Sequence, residues 1–183
     1  MGAIMKLVDA VLCLFFIIMI VSPMVHAQFV LPLSLFPEWM VEQKKWYMRE
    51  FNDYFYVEKP DFFIGLVLVE LLFQWPLALA ILYGMLSSKN WYNTTCLVHG
   101  ASFFTTMVTA LAGLIGSGKA SDKVLTLYYT FLGFAVLTLL RGLMPPPTTS
   151  NNDKARRKRI GAPKKMIVYS QISFFVSIIL LHV

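Results

Sequence analysis

Charged residues are scarce in this sequence. They make up 14% of its 183 residues, whereas hydrophobic residues make up 57%. Soluble domains contain about 25% charged and roughly 45–50% apolar residues. A chain with so few polar side chains cannot cover a surface that faces water, and lipid is the solvent that removes this requirement. The composition therefore excludes an ordinary soluble domain and indicates an integral membrane protein.

Residue patterns typical of metal, phosphate or nucleophilic chemistry are also missing. The sequence has no nucleophile–base motif and no glycine-rich phosphate loop, and its histidines at positions 26, 99 and 182 are too scattered for a metal site. The two cysteines, Cys13 and Cys96, lack metal-ligand spacing and are expected to be buried thiols. We therefore expect no cofactor, no metal site and no catalytic residue.

Positive charge is concentrated near the end of the chain. The segment from Met144 to Lys165 holds seven basic residues and one acidic residue, which accounts for the whole net charge of +6. The remainder is neutral, so the basic balance does not indicate a nucleic-acid-binding surface. A basic run beside a membrane span is typical of a solvated tail or of a contact with anionic lipids.

Four long apolar segments predict an all-α membrane protein, a four-transmembrane-helix bundle formed by a domain of residues 6–143. The segments cover residues 6–25, 62–86, 96–115 and 124–143. The first also resembles a signal peptide that would be cleaved after its small residues. We favour a retained span, because its 20 residues match the ~20 needed to cross the hydrocarbon core.

The positive-inside rule predicts the orientation of this bundle. It places the basic tail, residues 144–165, in the cytosol, and four spans then place the N-terminus there too. The loop at residues 27–60 is therefore lumenal, and it contains a predicted amphipathic helix, Glu38 to Phe51, which lies against the membrane or caps the bundle. The glycosylation sequon at Asn93 would face the cytosol and remain unused. The apolar residues 166–183 form a fifth span, an interfacial helix or a tail anchor.

Glu70 is the strongest single indication of a functional site. It lies eight residues inside the second span, about 12 Å along a helix, where an ionisable residue costs roughly 2.5–3.5 kcal/mol to insert. Gln74 is four residues further on, so both side chains would share one face of a helix. This polar stripe is either part of a binding site or a hydrogen-bonding pair that fixes helix packing.

Other polar residues fall in the same half of the predicted bundle. His26 ends the first span, Asp53 lies in the lumenal loop, and Thr106 and Tyr128 lie in the third and fourth spans. Together with Glu70 they describe an apolar, aromatic-rich cavity with a few acidic groups, which suits a sterol or an amphiphilic amine. Each residue alone could instead cap a helix or hydrogen-bond the backbone.

The second span and the loop before it resemble a known family. The pattern E-L-x-F-Q-x-P runs from Glu70 to Pro76. Three further segments precede it at the family's spacing: Val30-Leu31-Pro32, Lys45-Trp46-Tyr47 and Glu50-Phe51-x-Asp53. The chain resembles the sigma-2 receptor (transmembrane protein 97) family of the EXPERA-domain superfamily, which also includes the sterol Δ8–Δ7 isomerase called emopamil-binding protein. The resemblance covers roughly residues 6–143 and is closest to plant members.

The resemblance implies a four-helix bundle in the endoplasmic reticulum, usually a homodimer, with a part in sterol homeostasis or trafficking. It also implies a lumen-side pocket for a sterol or a cationic amphiphilic molecule, and a sterol-transport membrane protein as a partner. Matching motifs place the pocket at Tyr47, Asp53, Glu70 and Gln74, and less closely at Thr106 and Tyr128. Where the family has an acidic residue this chain has His26, which could repel an ammonium group near neutral pH. A neutral sterol does not need the missing carboxylate.

Three functions follow as hypotheses. The main one is a non-enzymatic receptor that binds sterols, with Glu70 and Asp53 holding the polar end of the ligand. The alternative is a sterol isomerase in which Glu70, with His26 or Asp53, supplies the acid and the base. The lack of a second acidic residue in the third and fourth spans counts against an enzyme. The third hypothesis is a scaffold whose polar interior only holds helices together.

Overall fold

The computed structural model describes residues 3–144, and within them the chain is helical. The helices are α1 (Ala3–His26), α2 (Glu38–Phe51), α3 (Tyr54–Glu58), α4 (Asp61–Val69), α5 (Trp75–Leu86), α6 (Tyr92–Ser117) and α7 (Asp122–Leu143). A π-helical turn at Glu70–Gln74 joins α4 to α5, so these two helices form one span. The predictions for residues 145–183 lie outside the described part of the chain.

Four of these segments are long and apolar enough to cross a membrane: Ile4–Phe29, Asp61–Leu86, Tyr92–Ser117 and Asp122–Leu143. They have 22 to 26 residues each, and at 1.5 Å per residue they reach ~33–39 Å, enough for a hydrocarbon core of ~30 Å. The predicted fold class of an all-α, four-helix membrane protein is therefore confirmed.

Two glycines allow α6 and α7 to pack at close range. A Cβ atom on Gly100 would lie 2.6 Å from the backbone nitrogen of Leu139, and one on Gly142 would overlap the backbone of Leu97. Small residues at helix contacts let two backbones approach in a membrane, where packing must replace the hydrophobic effect as the force between helices. The α6–α7 pair is thus the most closely packed part of the bundle, while α1 packs mainly on α5.

A buried ion pair joins the first and last spans at the end of the bundle opposite α2. Arg141 is 1% exposed, and its Nε donates to Oδ1 of Asp9 at 2.6 Å. A second guanidinium nitrogen donates to Asn93, and the hydroxyl of Tyr92 donates to Asp9. The sequence analysis did not anticipate this cluster. Asn93 is itself buried in the first turn of α6.

The structure corrects two details of the predicted helices. The third span begins at Tyr92, four residues before the predicted start at Cys96. The second span is not a regular α-helix, because the backbone N–H of Trp75 bonds to the carbonyl of Glu70 across a π turn. Pro76 explains this, since its nitrogen has no hydrogen to donate and its ring clashes with the carbonyl four residues earlier. The expectation of an α-helical i, i+4 pair at Glu70 and Gln74 is therefore wrong in its geometry.

Candidate functional site

A cavity of about 500 Å³ lies within the bundle, between all four spans and α2. Ligand cavities in proteins are roughly 300–1,000 Å³ and mostly apolar. Most of its lining is apolar or aromatic and includes Ile17, Met19, Val21, Val25, Phe63, Leu66, Val67, Phe103, Met107, Ala110 and Phe131. Polar side chains lie among them: Ser22, His26, Gln43, Tyr47, Tyr56, Glu70, Gln74, Thr106 and Tyr128. The cavity is thus an apolar chamber with a small polar region.

His26 and Glu70 form the charged part of this polar region. Nδ1 of His26 lies 2.6 Å from Oε2 of Glu70, so one proton is held between the end of α1 and the π turn. Both side chains are largely buried, at 24% and 12% exposure. Within residues 3–144, the side-chain hydrogen bond of this pair uses only Nδ1 of His26 and Oε2 of Glu70, which leaves Oε1 of Glu70 and Nε2 of His26 without one. These two atoms are available to a ligand.

Gln74 lies at the other end of the π turn and belongs to a separate hydrogen-bond group. Its amide nitrogen donates to the hydroxyls of Ser102 at 3.0 Å and Thr106 at 2.8 Å, both on α6. Its side-chain carbonyl oxygen is buried without a partner among the residues described. Because a π turn adds one residue to the helix turn, Glu70 bonds towards α1 while Gln74 bonds towards α6, and both still line the cavity.

Asp53 is fully buried behind the cavity wall and does not line it. It is the N-cap of α3, and Oδ1 accepts the backbone N–H of Phe55 at 2.9 Å. Oδ2 accepts the hydroxyls of Tyr47 at 2.9 Å and Tyr128 at 3.3 Å. The carboxylate therefore has no free side for a ligand, and it fixes two tyrosine side chains that do line the cavity.

Burial sets the electrostatics of this second polar group. Burial raises the pKa of Asp53, and the hydrogen bonds from Phe55, Tyr47 and Tyr128 offset only part of that rise. The pKa of Tyr47 is also raised, first by burial and then by the adjacent carboxylate, so its hydroxyl stays protonated. Since that hydroxyl donates its hydrogen to Asp53, it presents only lone pairs to the cavity.

The buried side chain of Lys44 holds α2 against the end of α1. Nζ of Lys44 donates to the carbonyl of Gln28 at 3.2 Å, and the side-chain amide of Gln28 donates to the carbonyl of Met40 at 3.2 Å. The Lys44 ammonium also lies 3.6 Å from the centre of the Phe29 ring. Burial, with a smaller contribution from Lys59, lowers the pKa of Lys44 to about 8. This contact matters for the site because α2 carries Tyr47 and other residues of the cavity wall.

The structure brings together all of the sequence-predicted site residues. Six of them line the cavity (His26, Tyr47, Glu70, Gln74, Thr106 and Tyr128), and Asp53 supports two of these from behind. The sequence analysis missed Trp46 and Tyr56 as lining residues. The density of aromatic residues between positions 46 and 56 was the available indication, because such residues pack in T-shaped and stacked pairs around a cavity.

Comparison with known proteins agrees with this architecture. Residues 39–144, more than half of the chain, match the EBP family, described as EXPERA (EXPanded EBP superfamily). The chain is 26% identical to Sigma intracellular receptor 2 of Xenopus tropicalis over 151 residues, which cover 75% of this chain and 88% of that protein. It is 33% identical to Sigma intracellular receptor 2 of Homo sapiens and of Macaca fascicularis over 86 residues, which cover 46% of this chain and 49% of each of those proteins. No solved structure matches the chain significantly.

The family match covers α2 to α7 and so includes three of the four spans and every cavity wall except α1. The match to the Xenopus protein extends over a larger share of the chain. Four apolar helices of spanning length are the architecture that a multi-pass membrane protein requires. This chain is therefore a multi-pass membrane protein that belongs to the EXPERA family.

Proposed function

We propose that this protein binds a sterol or a related amphiphilic lipid in the cavity and takes part in sterol homeostasis or trafficking. The observation that carries the proposal is the apolar chamber of about 500 Å³ with His26 and Glu70 at one position on its wall. A sterol has one rigid apolar body, which matches the apolar chamber, and one hydroxyl, which matches the His26–Glu70 pair. The names of the relatives, which are receptors, support a binding role over an enzymatic one.

Several of the polar atoms that face the cavity are acceptors. They include the second carboxylate oxygen of Glu70 and the lone pairs of the Tyr47 and Tyr128 hydroxyls. A ligand hydroxyl could donate to Glu70 while its oxygen accepts from His26. The histidine already pairs with the carboxylate, so a cationic amine would find less uncompensated negative charge than beside an isolated glutamate. The proposal therefore favours a neutral sterol over a cationic amphiphile.

We also propose the endoplasmic reticulum membrane as the location, with both ends of the four-helix domain in the cytosol. The basic residues at 154–165 support that orientation through the positive-inside rule. A homodimer and a sterol-transport membrane protein as a partner are further expectations, which the resemblance to the receptor family supports.

Saturable binding with matched variants tests the main proposal. Purified protein in mild detergent is titrated with a radiolabelled sterol, and Glu70→Gln is compared with Glu50→Gln, an exposed glutamate of α2 outside the cavity. We expect saturable binding that Glu70→Gln weakens at least ~10-fold, which is ~1.4 kcal/mol, and that Glu50→Gln leaves unchanged. Equal affinity of both variants, with normal expression and folding, would contradict the assignment of the cavity.

The His26–Glu70 contact supports one second candidate, a sterol isomerase. Moving a ring double bond requires one proton to be added to a carbon and another to be removed from a neighbouring position, so an acid and a base must face one substrate. His26 and Glu70 share a proton and both line the cavity. Incubation with a Δ8-sterol followed by mass spectrometry separates the two functions. Conversion to the Δ7 product that Glu70→Gln abolishes would favour the isomerase, and recovery of unchanged bound sterol would favour the receptor.

A further inference from the structure

An exposed apolar surface lies outside the membrane spans, where α1 leads into α2. Its five large side chains are about half or more exposed: Leu31 at 49%, Leu33 at 53%, Leu35 at 67%, Trp39 at 61% and Trp46 at 53%. The eleven residues from Ala27 to Pro37 contain no charged side chain. Soluble surfaces rarely expose so continuous an apolar stretch, and when they do it usually marks an interaction site.

The position of this surface identifies its partner. The first span ends at Phe29, so Leu31 follows it by two residues and cannot lie far from the membrane boundary. The contacts of Lys44 and Gln28 also hold α2 against the end of α1. Tryptophan is the residue type that is enriched at the boundary between headgroups and acyl chains, and Trp39 and Trp46 lie one above the other on α2, seven residues apart.

The backbone of the uncharged stretch from Ala27 to Pro37 is suited to an environment with little water. Pro32 and Pro37 have no N–H group to satisfy. Four other N–H groups donate to carbonyls of the same stretch, at 2.9 to 3.1 Å: those of Val30, Leu31, Leu35 and Phe36. A backbone that satisfies part of its donors locally can enter the membrane boundary at a lower cost than an extended loop that satisfies none.

We propose that the segment from Leu31 to Trp39, with Trp46, lies in the headgroup–acyl boundary of the bilayer and holds α2 on the membrane surface as a wall of the cavity. The partner is the lipid leaflet that surrounds the bundle. Trp46 connects the two features, because it is 53% exposed and also lines the cavity. The width of the cavity at α2 therefore depends on the lipid surface on which α2 rests.

Depth-dependent fluorescence quenching tests the proposal on the full chain in phosphatidylcholine vesicles. Cys13 and Cys96 are replaced by alanine, and an environment-sensitive fluorophore is attached to a cysteine at Leu35. A cysteine at Leu14, 64% exposed in the middle of α1, is the deep reference, and one at Asn90, in the exposed turn before α6, is the aqueous reference. Leu33→Cys provides a second test position should the Leu35 variant fold poorly.

We expect the label at position 35 to be quenched most by nitroxides attached to the headgroup or near the top of the acyl chain, at a depth of about 5–10 Å below the membrane surface, and so at a shallower depth than the Leu14 label. Aqueous iodide, present on both sides of the bilayer, should quench it at least ~3-fold less than the Asn90 label, because the boundary excludes the anion. Iodide quenching equal to that at Asn90 would overturn the proposal, since the surface would then face water. Protection from both iodide and lipid nitroxides would also overturn it, because a protein contact would then cover the surface.

Discussion

Replacing Asp53 with asparagine separates the two roles of this buried carboxylate, which caps α3 and accepts hydrogen bonds from two tyrosine hydroxyls. Asparagine is as good an N-cap as aspartate, so its carbonyl can still accept the Phe55 N–H. Its NH₂ group replaces Oδ2, however, and cannot accept the hydroxyls of Tyr47 and Tyr128. Those hydroxyls belong to α2 and α7, so two walls of the cavity lose their common acceptor.

The magnitude follows from two opposing effects. Hydrogen bonds to a charged group contribute about 1.5–3 kcal/mol each, and here one is short and one is long. Removing the charge also removes the free-energy cost of burying it. This cost exceeds the contribution of the hydrogen bonds, because the pKa of Asp53 is raised despite them. We therefore expect Asp53→Asn to unfold at the same temperature or at a slightly higher one. Ligand affinity should fall ~10-fold, or ~1.4 kcal/mol, because the released tyrosines no longer hold their positions.

The assay measures sterol affinity and thermal unfolding of both Asp53→Asn and Asp122→Asn, the latter being an exposed aspartate of α7. Lowering the pH should reproduce the substitution in the unmodified protein. Because the folded pKa of Asp53 is raised, protonation stabilises the fold as the pH falls through that value, while affinity decreases; Asp53→Asn should lack this pH dependence. Unchanged affinity in Asp53→Asn, or a large loss of stability, would refute the reasoning.

Three further predictions concern stability, measured as thermal unfolding in detergent. Because the pKa of Lys44 is lowered to about 8, the folded protein binds fewer protons than the unfolded chain above that pH. Stability should then rise by up to ~2 kcal/mol between pH 7 and pH 9.5, and Lys44→Met should remove the rise. Arg141→Met should cost about 3 kcal/mol, because Asp9, 18% exposed, loses its charged partner and keeps only the hydrogen bond from Tyr92. Adding Asp9→Leu should recover much of this loss, and a double variant as unstable as Arg141→Met alone would contradict the prediction. Gly100→Ala should cost about 1–3 kcal/mol, whereas Gly133→Ala, where nothing lies near the added Cβ, should stabilise slightly.

Local patterns in the sequence were sufficient to locate the four spans and α2, though not all of their details. The amphipathic helix from Glu38 to Phe51 has the bounds that its periodicity predicted, because a helix that covers an apolar bundle must alternate its two faces every 3.6 residues. The π turn at Glu70–Gln74 was missed, although Pro76 was visible. A proline predicts a disturbed helix, but tertiary contacts decide whether the chain kinks, breaks or adds a residue.

Contacts between residues that are distant in the sequence could not be predicted from it. Asp9 and Arg141 are 132 residues apart, and no pattern connects them. His26 and Glu70 were both named as site residues, yet only the fold shows that they share a proton. Asp53 was placed in the site by its position in the predicted lumenal loop and by resemblance, and it was given a direct contact with the ligand. The structure instead satisfies its carboxylate with three donors and places it behind the wall.

Photo-crosslinking tests the central claim of a lipid-binding cavity most directly. The full chain is incubated in membranes with a sterol that carries a diazirine on its ring system, and the crosslinked residues are identified by mass spectrometry with and without excess unlabelled sterol. The account predicts crosslinks that the competitor removes, at cavity residues such as Val25, Val67 and Ala110. Crosslinks confined to outward-facing residues such as Leu14 and Leu140, or insensitive to competitor, would contradict it.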